Sequence, residues 1–411
     1  MAAGYDIIIA GGGCAGLSLL HRLSQSSLVG KRILVLDTEP KTRNDKTWCF
    51  WASSELPFSL PCTPRRAWSK LAFEGRNIRS VEDIAPLQYY YVRSEDFYAG
   101  AYATADQMPH VEFRYESVKE IWEVGNSACV RTDASIYEAS WVFSSIISPR
   151  RIYPQQHIYL HQHFGGWFIR SEHPVFDPEQ MTLMDFRVPQ NEATAFTYVL
   201  PFDAHTALVE FTVFSSESWT RSAYDQALES YLKEHLGIQR YTILEREYGS
   251  IPMTNHPLHQ QTQGRVIQLG TAGGLTKPTT GYTFRRIQED VEARVSAWEN
   301  TGSPVLSRRP RGRYAFYDDL LLYLLLIRPN LGRGIFEKLF ARNDIRTILH
   351  FLDEGVSLPR DLWIIGRLPW KPFLQAFWQY KVLKKLPQSA YQSTPALYKA
   401  VRRSKVEQFK V

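Results

Sequence analysis

The chain has 411 residues, 44% of them hydrophobic, which is enough for two or three packed units and excludes a largely disordered protein. A net charge of +6 and a pI near 9.0 suit an anionic membrane surface better than nucleic acid, since the charges are spread along the chain without a nucleic-acid-binding signature. Four scattered cysteines without a CxxC pair fit a reducing cytoplasm, the N-terminus lacks a signal-peptide pattern, and the longest apolar run, Leu320–Ile327, falls far short of the roughly 20 residues a spanning helix needs.

In chain order, Asp6–Ala10 reads as a buried strand, Gly11–Gly16 as a tight turn, Leu17–Leu23 as an apolar helix face and Arg32–Leu36 as a second strand. This is a βαβ unit. Gly11, Gly13 and Gly16 form GxGxxG in the strand–turn–helix context the pattern requires. Gly11 permits the turn, Gly13 lets backbone approach a pyrophosphate, Gly16 lets helix and strand pack, and Cys14 and Ala15 open the helix whose N–H groups face the anion. Asp37 closes the second strand, where a carboxylate accepts hydrogen bonds from ribose hydroxyls; the alternative is that it caps the following loop.

An aromatic and polar loop, NDKTWCFW from Asn44 to Trp51, follows, then YYYVRSED from Tyr89 to Asp96, in which Arg93 is a candidate for a cofactor phosphate or a structural ion pair. From about Pro149 to Pro257, β-rich runs alternate with turns, so a mainly antiparallel sheet is expected, interrupted by a helix at Asp225–Leu236. His161 and His163 share strand phase without further ligand spacing, so no metal site is expected. Arg265–Gly270 reads as a buried strand that re-enters the first unit. It leads into LGTAGGLTKPTTGYTF, Leu269–Phe284, a second glycine-rich segment suited to walling a flavin, which favours FAD over NAD. Helical patterns dominate from about Arg311, with Gly355 as a cap.

The expected fold is therefore α/β: a Rossmann-type FAD-binding domain over 1–80, 96–150 and 258–302, a mainly antiparallel β-sheet substrate domain over 81–95 and 151–257, and a helical, membrane-facing region over 303–411. In that region Trp363, Trp370 and Trp378 mix with Lys371, Lys381, Lys384 and Lys385, as at a headgroup boundary.

Taken together, IIIAGGGCAGLSL, NDKTWCFW, FGGWF, LMDFR, FTYVLPF with ALVEFT, YGSIPM and LGTAGGLTKPTTGYTF resemble the FAD-dependent lycopene cyclase family over most of the chain. The resemblance implies an isomerase (an intramolecular lyase) of carotenoid biosynthesis. It would close the linear ends of lycopene, or a related linear carotenoid, into β-ionone rings with reduced FAD and no net redox change, with NAD(P)H a candidate reductant. Glu210 matches the family's acidic motif and is the implied proton donor. Phe211 stands where plant-type members carry a second acid, and Lys277 stands near where they carry His.

On the strand, Leu208, Glu210, Thr212 and Phe214 share one face, and both faces are mainly apolar, so Glu210 is expected to be a buried carboxyl with a raised pKa. A pairing with Arg or Lys remains the alternative. Candidate polyene contacts are Trp48, Phe50, Trp51, Trp167 and Phe211, and Gly270, Gly273 and Gly281 are expected as backbone contacts of the flavin. The expected location is cytoplasmic, peripheral on the inner face of the cell membrane. A redox flavoenzyme (monooxygenase or isoprenoid reductase) and a carotenoid carrier stay open as alternatives.

Overall fold

A computed structural model describes residues 4–147, 157–258, 264–307 and 312–383. Strand β1 (Tyr5–Ala10) is buried from Ile7 to Ala10, as befits the interior of a parallel sheet covered on both faces. It pairs in parallel with β2 (Ile33–Asp37) and β11 (Ile136–Ser144). The sheet order is β8 (Val111–Tyr115), β2, β1, β11, β10 (Ser127–Thr132), β9 (Val118–Val124), with β17 (Val266–Gln268) adding in parallel to β11. Helices α1 (Cys14–Ser24), α2 (Ser94–Ala105) and α4 (Phe284–Thr301) belong to this unit, where Leu17, Leu20, Phe97, Ile287 and Val291 share one core. The return of β17, late in the chain, completes this sheet.

The second sheet has the order β16 (Tyr241–Thr254), β12 (Tyr159–Ser171), β15 (Thr206–Ser215), β14 (Thr194–Pro201), β13 (Gln180–Asp185), β5 (Lys70–Glu74), β6 (Arg79–Asp83). Its strands are antiparallel except where β13 meets β5. One face is covered by α3 (Arg221–Glu234), through Val209, Phe211, Val213, Tyr224 and Leu228. A third, small sheet, β3 (Thr47–Ser53), β7 (Leu87–Arg93), β4 (Arg66–Trp68), lies between the two units: Phe50, Tyr90 and Val92 join the nucleotide-side core, while Trp51, Tyr89 and Tyr91 join the core of the large sheet. The period-2 alternation of β3 and β7 thus sends one set of side chains to each side.

Two strand placements differ from the sequence expectation. Residues 70–80, expected on the nucleotide side, contribute β5 and part of β6 to the large sheet, and β7, expected in the substrate sheet, pairs with β3 and β4 instead. Both depend on pairings between distant strands, which local pattern does not encode.

Helices α5 (Arg313–Ile327), α6 (Gly332–Arg342), α7 (Ile345–Leu352), α8 (Leu358–Ile365) and α9 (Trp370–Leu383) form a C-terminal layer. Leu322, Leu325, Phe336, Phe340 and Ile348 pack into the large sheet's core, where Phe73 and Phe340 stack with ring centroids 4.1 Å apart. Among the described residues, no helix is long and apolar enough to cross a membrane. Lys384 and Lys385 lie outside the described residues, and so does the side chain of Lys381.

Candidate functional site

The N-terminal glycine loop has the geometry its spacing predicts. Gly11 sits at φ +107°, and a Cβ there would collide with Ser145 Oγ; a Cβ on Gly16 would collide with the Gly11 carbonyl. Gly13, the N-cap of α1, has nothing within 4 Å of a Cβ position, and no side chain caps the helix. The first turn therefore has no side-chain cap, and the backbone at Gly13 is open to a close approach, which fits the pyrophosphate of a dinucleotide. Asp37 Oδ2 accepts from the Gly12 N–H at 2.7 Å and Oδ1 from the Thr38 N–H at 2.7 Å, with Lys41 Nζ 3.3 Å away. Its carboxylate ties down the loop and stands at the edge where a ribose would lie.

The late segment meets this loop. Gly270, at φ +56°, brings its backbone so close to Ala15 that an added Cβ would stand 3.1 Å from Ala15 Cβ. A Cβ on Gly273 would strike the Gln268 carbonyl, and one on Gly281, at φ +72°, would stand 2.5 Å from Gln162 Oε1. Gly270 thus approaches the dinucleotide loop at Ala15, and Gly281 approaches the large sheet at Gln162. Cys14 itself is crowded by protein, and burial pushes its thiol well above the ordinary range.

Lys277 is anchored rather than free for chemistry. Its Nζ donates to Asp318 Oδ1 and Oδ2 at 2.9 and 3.0 Å and to Glu354 Oε1 at 3.0 Å, while Thr279 Oγ1 donates to Asp318 at 2.8 Å. The loop is thereby fastened to α5 and to the turn after α7. That anchoring presents Tyr282 to the centre of the molecule, its hydroxyl 2.9 Å from that of Tyr89 and its ring edge-on to Trp51 with centroids 4.6 Å apart.

Glu210 lies at this centre. Across the large sheet Tyr198 pairs with Glu210, Glu210 with Gly166 and Gly166 with Glu247, so four residues of four adjacent strands form one row on one face. The double glycine explains how: a Cβ on Gly165 would stand 2.6 Å from Tyr224 Cβ of α3, and one on Gly166 would stand 3.0 Å from Glu247 Cγ. One glycine admits the helix on the far face. The other leaves room for two carboxyl groups to lean together over β12.

Burial drives the Glu210 carboxyl well above the usual glutamate range; the neighbouring Glu247 raises it further, and the Thr212 hydroxyl, 2.9 Å away, opposes the shift. Glu247 is also raised by burial, against the pull of hydrogen bonds from Thr47 and Glu210; Thr47 Oγ1 donates at 2.6 Å. Both side chains keep some accessible surface, yet protein atoms crowd them densely, and it is this crowding that disfavours charge. Burial likewise raises the Cys49 thiol and the Tyr89 and Tyr198 hydroxyls, so these groups stay neutral around the carboxyl pair. A weakly acidic, largely apolar setting with one protonated carboxyl is what proton donation to a carbon requires.

The remaining candidates separate. Trp51 shares the Glu210 side, whereas Trp48 and Phe50 stack on Phe284, with centroids 5.3 and 5.2 Å away, inside the nucleotide-side core. Trp167 and Phe211 lie on the opposite face of the large sheet. Trp167 donates to Asp225 at 3.1 Å and Phe211 stacks on Trp219, so neither lines the Glu210 side. Strand parity is the physical reason: Phe211 follows Glu210 and Trp167 follows Gly166. Arg93 is held between Glu245 and Glu95, each 2.9 Å away. His161 is bonded to Ser250, and His163 to Tyr224 and Ser215.

Sequence reasoning did not single out Glu247, Tyr89, Tyr198, Tyr282 or Cys49. Cys49, Tyr89, Tyr198 and Tyr282 lie within the segments NDKTWCFW, YYYVRSED, FTYVLPF and LGTAGGLTKPTTGYTF, whereas Glu247 lies in none of them. A cleft lined by Cys49, Trp51, Lys277, Tyr282, Arg285 and Asp353 runs along the late glycine segment.

The family described as "Lycopene cyclase protein" matches residues 6–377. The chain is 25% identical over 309 residues to a chloroplastic neoxanthin synthase of Solanum lycopersicum, covering 69% of this chain and 58% of that protein. It is 24% identical over 355 residues to a chloroplastic lycopene beta cyclase of Nicotiana tabacum, covering 78% and 69%. Among solved structures, the fold is similar to a flavoprotein/dehydrogenase of Cytophaga hutchinsonii (TM-score 0.58, 12% identity, 93% of this chain and 99% of that one). It is also similar to a geranylgeranyl bacteriochlorophyll reductase-like protein of Thermoplasma acidophilum (TM-score 0.55, 14% identity, 90% and 98%). These likenesses establish the Rossmann-type flavoprotein fold with an antiparallel sheet and C-terminal helices.

Proposed function

We propose that this chain, which belongs to the lycopene cyclase family, is an FAD-dependent isomerase that closes the linear ends of lycopene or a related carotenoid into β-rings without net redox change. The observation that carries the reading is Glu210: a crowded carboxyl, held in its neutral form, on the sheet face that meets the late glycine segment. Its proton adds to a terminal double bond, and the neighbouring double bond attacks the resulting tertiary cation to form the ring. Apolar and aromatic walls, Trp51 and Tyr282 among them, keep water from quenching that cation.

The N–H groups at the start of α1, with Gly11 and Gly13, would hold the FAD pyrophosphate, Asp37 its ribose, and the backbone at Gly270, Gly273 and Gly281 its flavin end. When bound in reduced form, FAD supplies negative charge beside a developing cation. NAD(P)H is the reductant we expect. The test is expression in lycopene-accumulating cells with pigment analysis by chromatography and mass spectrometry: cyclisation leaves the mass of lycopene unchanged. Unaltered lycopene beside folded, flavin-bearing protein would overturn the reading, and a gain of oxygen or hydrogen would favour a redox flavoenzyme.

A cytoplasmic protein lying on the inner face of the membrane completes this reading, because a hydrocarbon substrate must be drawn from lipid. Trp363, Trp370 and Trp378 are 44%, 65% and 61% exposed, next to exposed Leu358, Leu362 and Leu374. Arg367 and Arg360 lie over Trp363, and Lys371 over Trp370. Such a mixture of exposed indoles and cations suits the headgroup boundary. Flotation with anionic vesicles at low salt should carry the protein upward, and a protein left at the bottom of the gradient counts against membrane docking.

A further inference from the structure

Glu247 has no part in the reaction as described so far, although it meets Glu210 over the bare backbone of Gly166. The backbones of β15 and β16 stand about 9–10 Å apart, two strand spacings, so the two carboxyl groups need to lean inward to meet, as Glu247 does with its Cγ and Oε1 3.0 and 3.1 Å from a Cβ position on Gly166. Thr47 Oγ1 fixes one Glu247 oxygen, Oε2, at 2.6 Å. The other, Oε1, is fully buried and receives no hydrogen bond from any fixed donor. Buried oxygens are rarely left so. Two ionised carboxylates have no proton with which to satisfy each other, whereas a protonated Glu210 is a donor facing Glu247 from across Gly166. Glu210 Oε1, for its part, accepts from Thr212 Oγ1, which leaves its second oxygen to carry the proton.

We propose that Glu210 and Glu247 act as one proton-sharing carboxyl pair, in which Glu247 positions the Glu210 proton and the doubly ionised pair, once that proton has gone to the polyene, takes one back from the cyclised cation. The inference rests on the cyclase reading and names the base that reading leaves open. The balance is closed. The O–H bond of Glu210 breaks and a C–H bond forms at the terminal alkene carbon. The adjacent double bond's electron pair makes the ring C–C bond. A C–H bond next to the cationic ring carbon then breaks, its electrons forming the ring double bond and its proton returning to the pair. No oxidant or reductant is consumed. Two adjacent carboxylates cannot both remain ionised in so crowded a setting, which makes the pair a base only after it has acted as an acid.

Infrared spectroscopy of the purified flavin-loaded protein tests the pair independently of turnover. The wild type should show a protonated-carboxyl C=O band at neutral pH that shifts in D2O and disappears in Glu210→Gln. In Glu247→Gln, which keeps a partner for Thr47 but removes the charge, the band's pH midpoint should fall by about one unit or more. In lycopene-fed assays the same variant should lower kcat by about tenfold to hundredfold with little change in KM, and Glu247→Asp should recover part of the loss. Should Glu247→Gln not fold, Glu247→Asp supplies the shifted midpoint. A wild-type protein with no such band, or a midpoint that neither Glu247 variant moves, overturns the pair. A band that behaves as described in a protein that leaves lycopene untouched would instead retain the pair and remove the cyclase reading.

Discussion

Lys277→Met is the change whose consequence follows most directly from geometry. The Lys277 and Asp318 side chains are only 6% and 5% exposed, and Nζ lies within 3.0 Å of carboxylate oxygens of both Asp318 and Glu354. Removing one member of a buried ion pair costs about 3–5 kcal/mol, because the charge left behind has already lost its hydration. Remaining contacts moderate this: Thr279 Oγ1 still donates to Asp318, and Arg286 Nη2 remains 3.1 Å from Glu354. We therefore expect a loss of about 2–4 kcal/mol, a fall of about 1 M in the urea midpoint for a slope of about 2–3 kcal/mol per molar. Tryptophan fluorescence during urea denaturation measures it. The double variant Lys277→Met with Asp318→Leu should recover much of the loss, since no buried charge is then left at position 318. A wild-type midpoint in the single variant, or a double variant no more stable than the single, would refute the ion pair as the anchor of the late glycine segment.

Gly166→Ala would set a methyl 3.0–3.1 Å from Glu247 and 3.3 Å from Leu208; we expect it to part the carboxyl pair and lower kcat about tenfold or more while circular dichroism stays native. For the pH dependence, the folded Glu210 carboxyl titrates well above its ordinary 4.5, so between those two values the native state holds more protons than the unfolded chain. Stability contributed by the neutral group is complete below about 4.5 and is lost as pH rises through the raised value. Glu210→Gln should therefore flatten the decline of the urea midpoint with rising pH, and an unchanged slope would count against a neutral Glu210. Trp167→Phe removes a 3.1 Å bond to Asp225 on the far face of the sheet, so we expect about 1 kcal/mol of lost stability and unaltered kcat. A large loss of turnover would mean that the α3 face takes part in the chemistry.

Much of the nucleotide side was legible because glycines encode backbone shape directly. Gly11, Gly13 and Gly16 implied their turn from spacing, and of the late glycines expected to bring backbone close to a flavin, Gly270 and Gly281 take positive φ. Glu210 came from the resemblance to the family's acidic motif, the alternation of β15 adding only that its carboxyl would be buried, and the same alternation assigns Phe211 to the opposite face. Glu247 was not legible, since EREY offers charges on both faces of β16 and only the pairing with Gly166 decides which one turns inward. Trp167 depended on that same long-range register. The FGGWF motif was visible as a string, but its two glycines serve two different neighbours, α3 and Glu247, which are brought together only by the folded sheet.

The meeting of Gly270 with Ala15 has a consequence for how the protein comes into being. The dinucleotide loop leaves the ribosome before the strand and turn that wall it, and the whole large sheet lies between them in sequence. Such distant closure is slow, and the nascent N-terminal unit must wait with an open edge beside β11 where β17 will insert. A ligand that touches both segments would then favour the closed state by mass action. Flavin supply during synthesis should accordingly govern the yield of folded protein as much as its later catalytic competence.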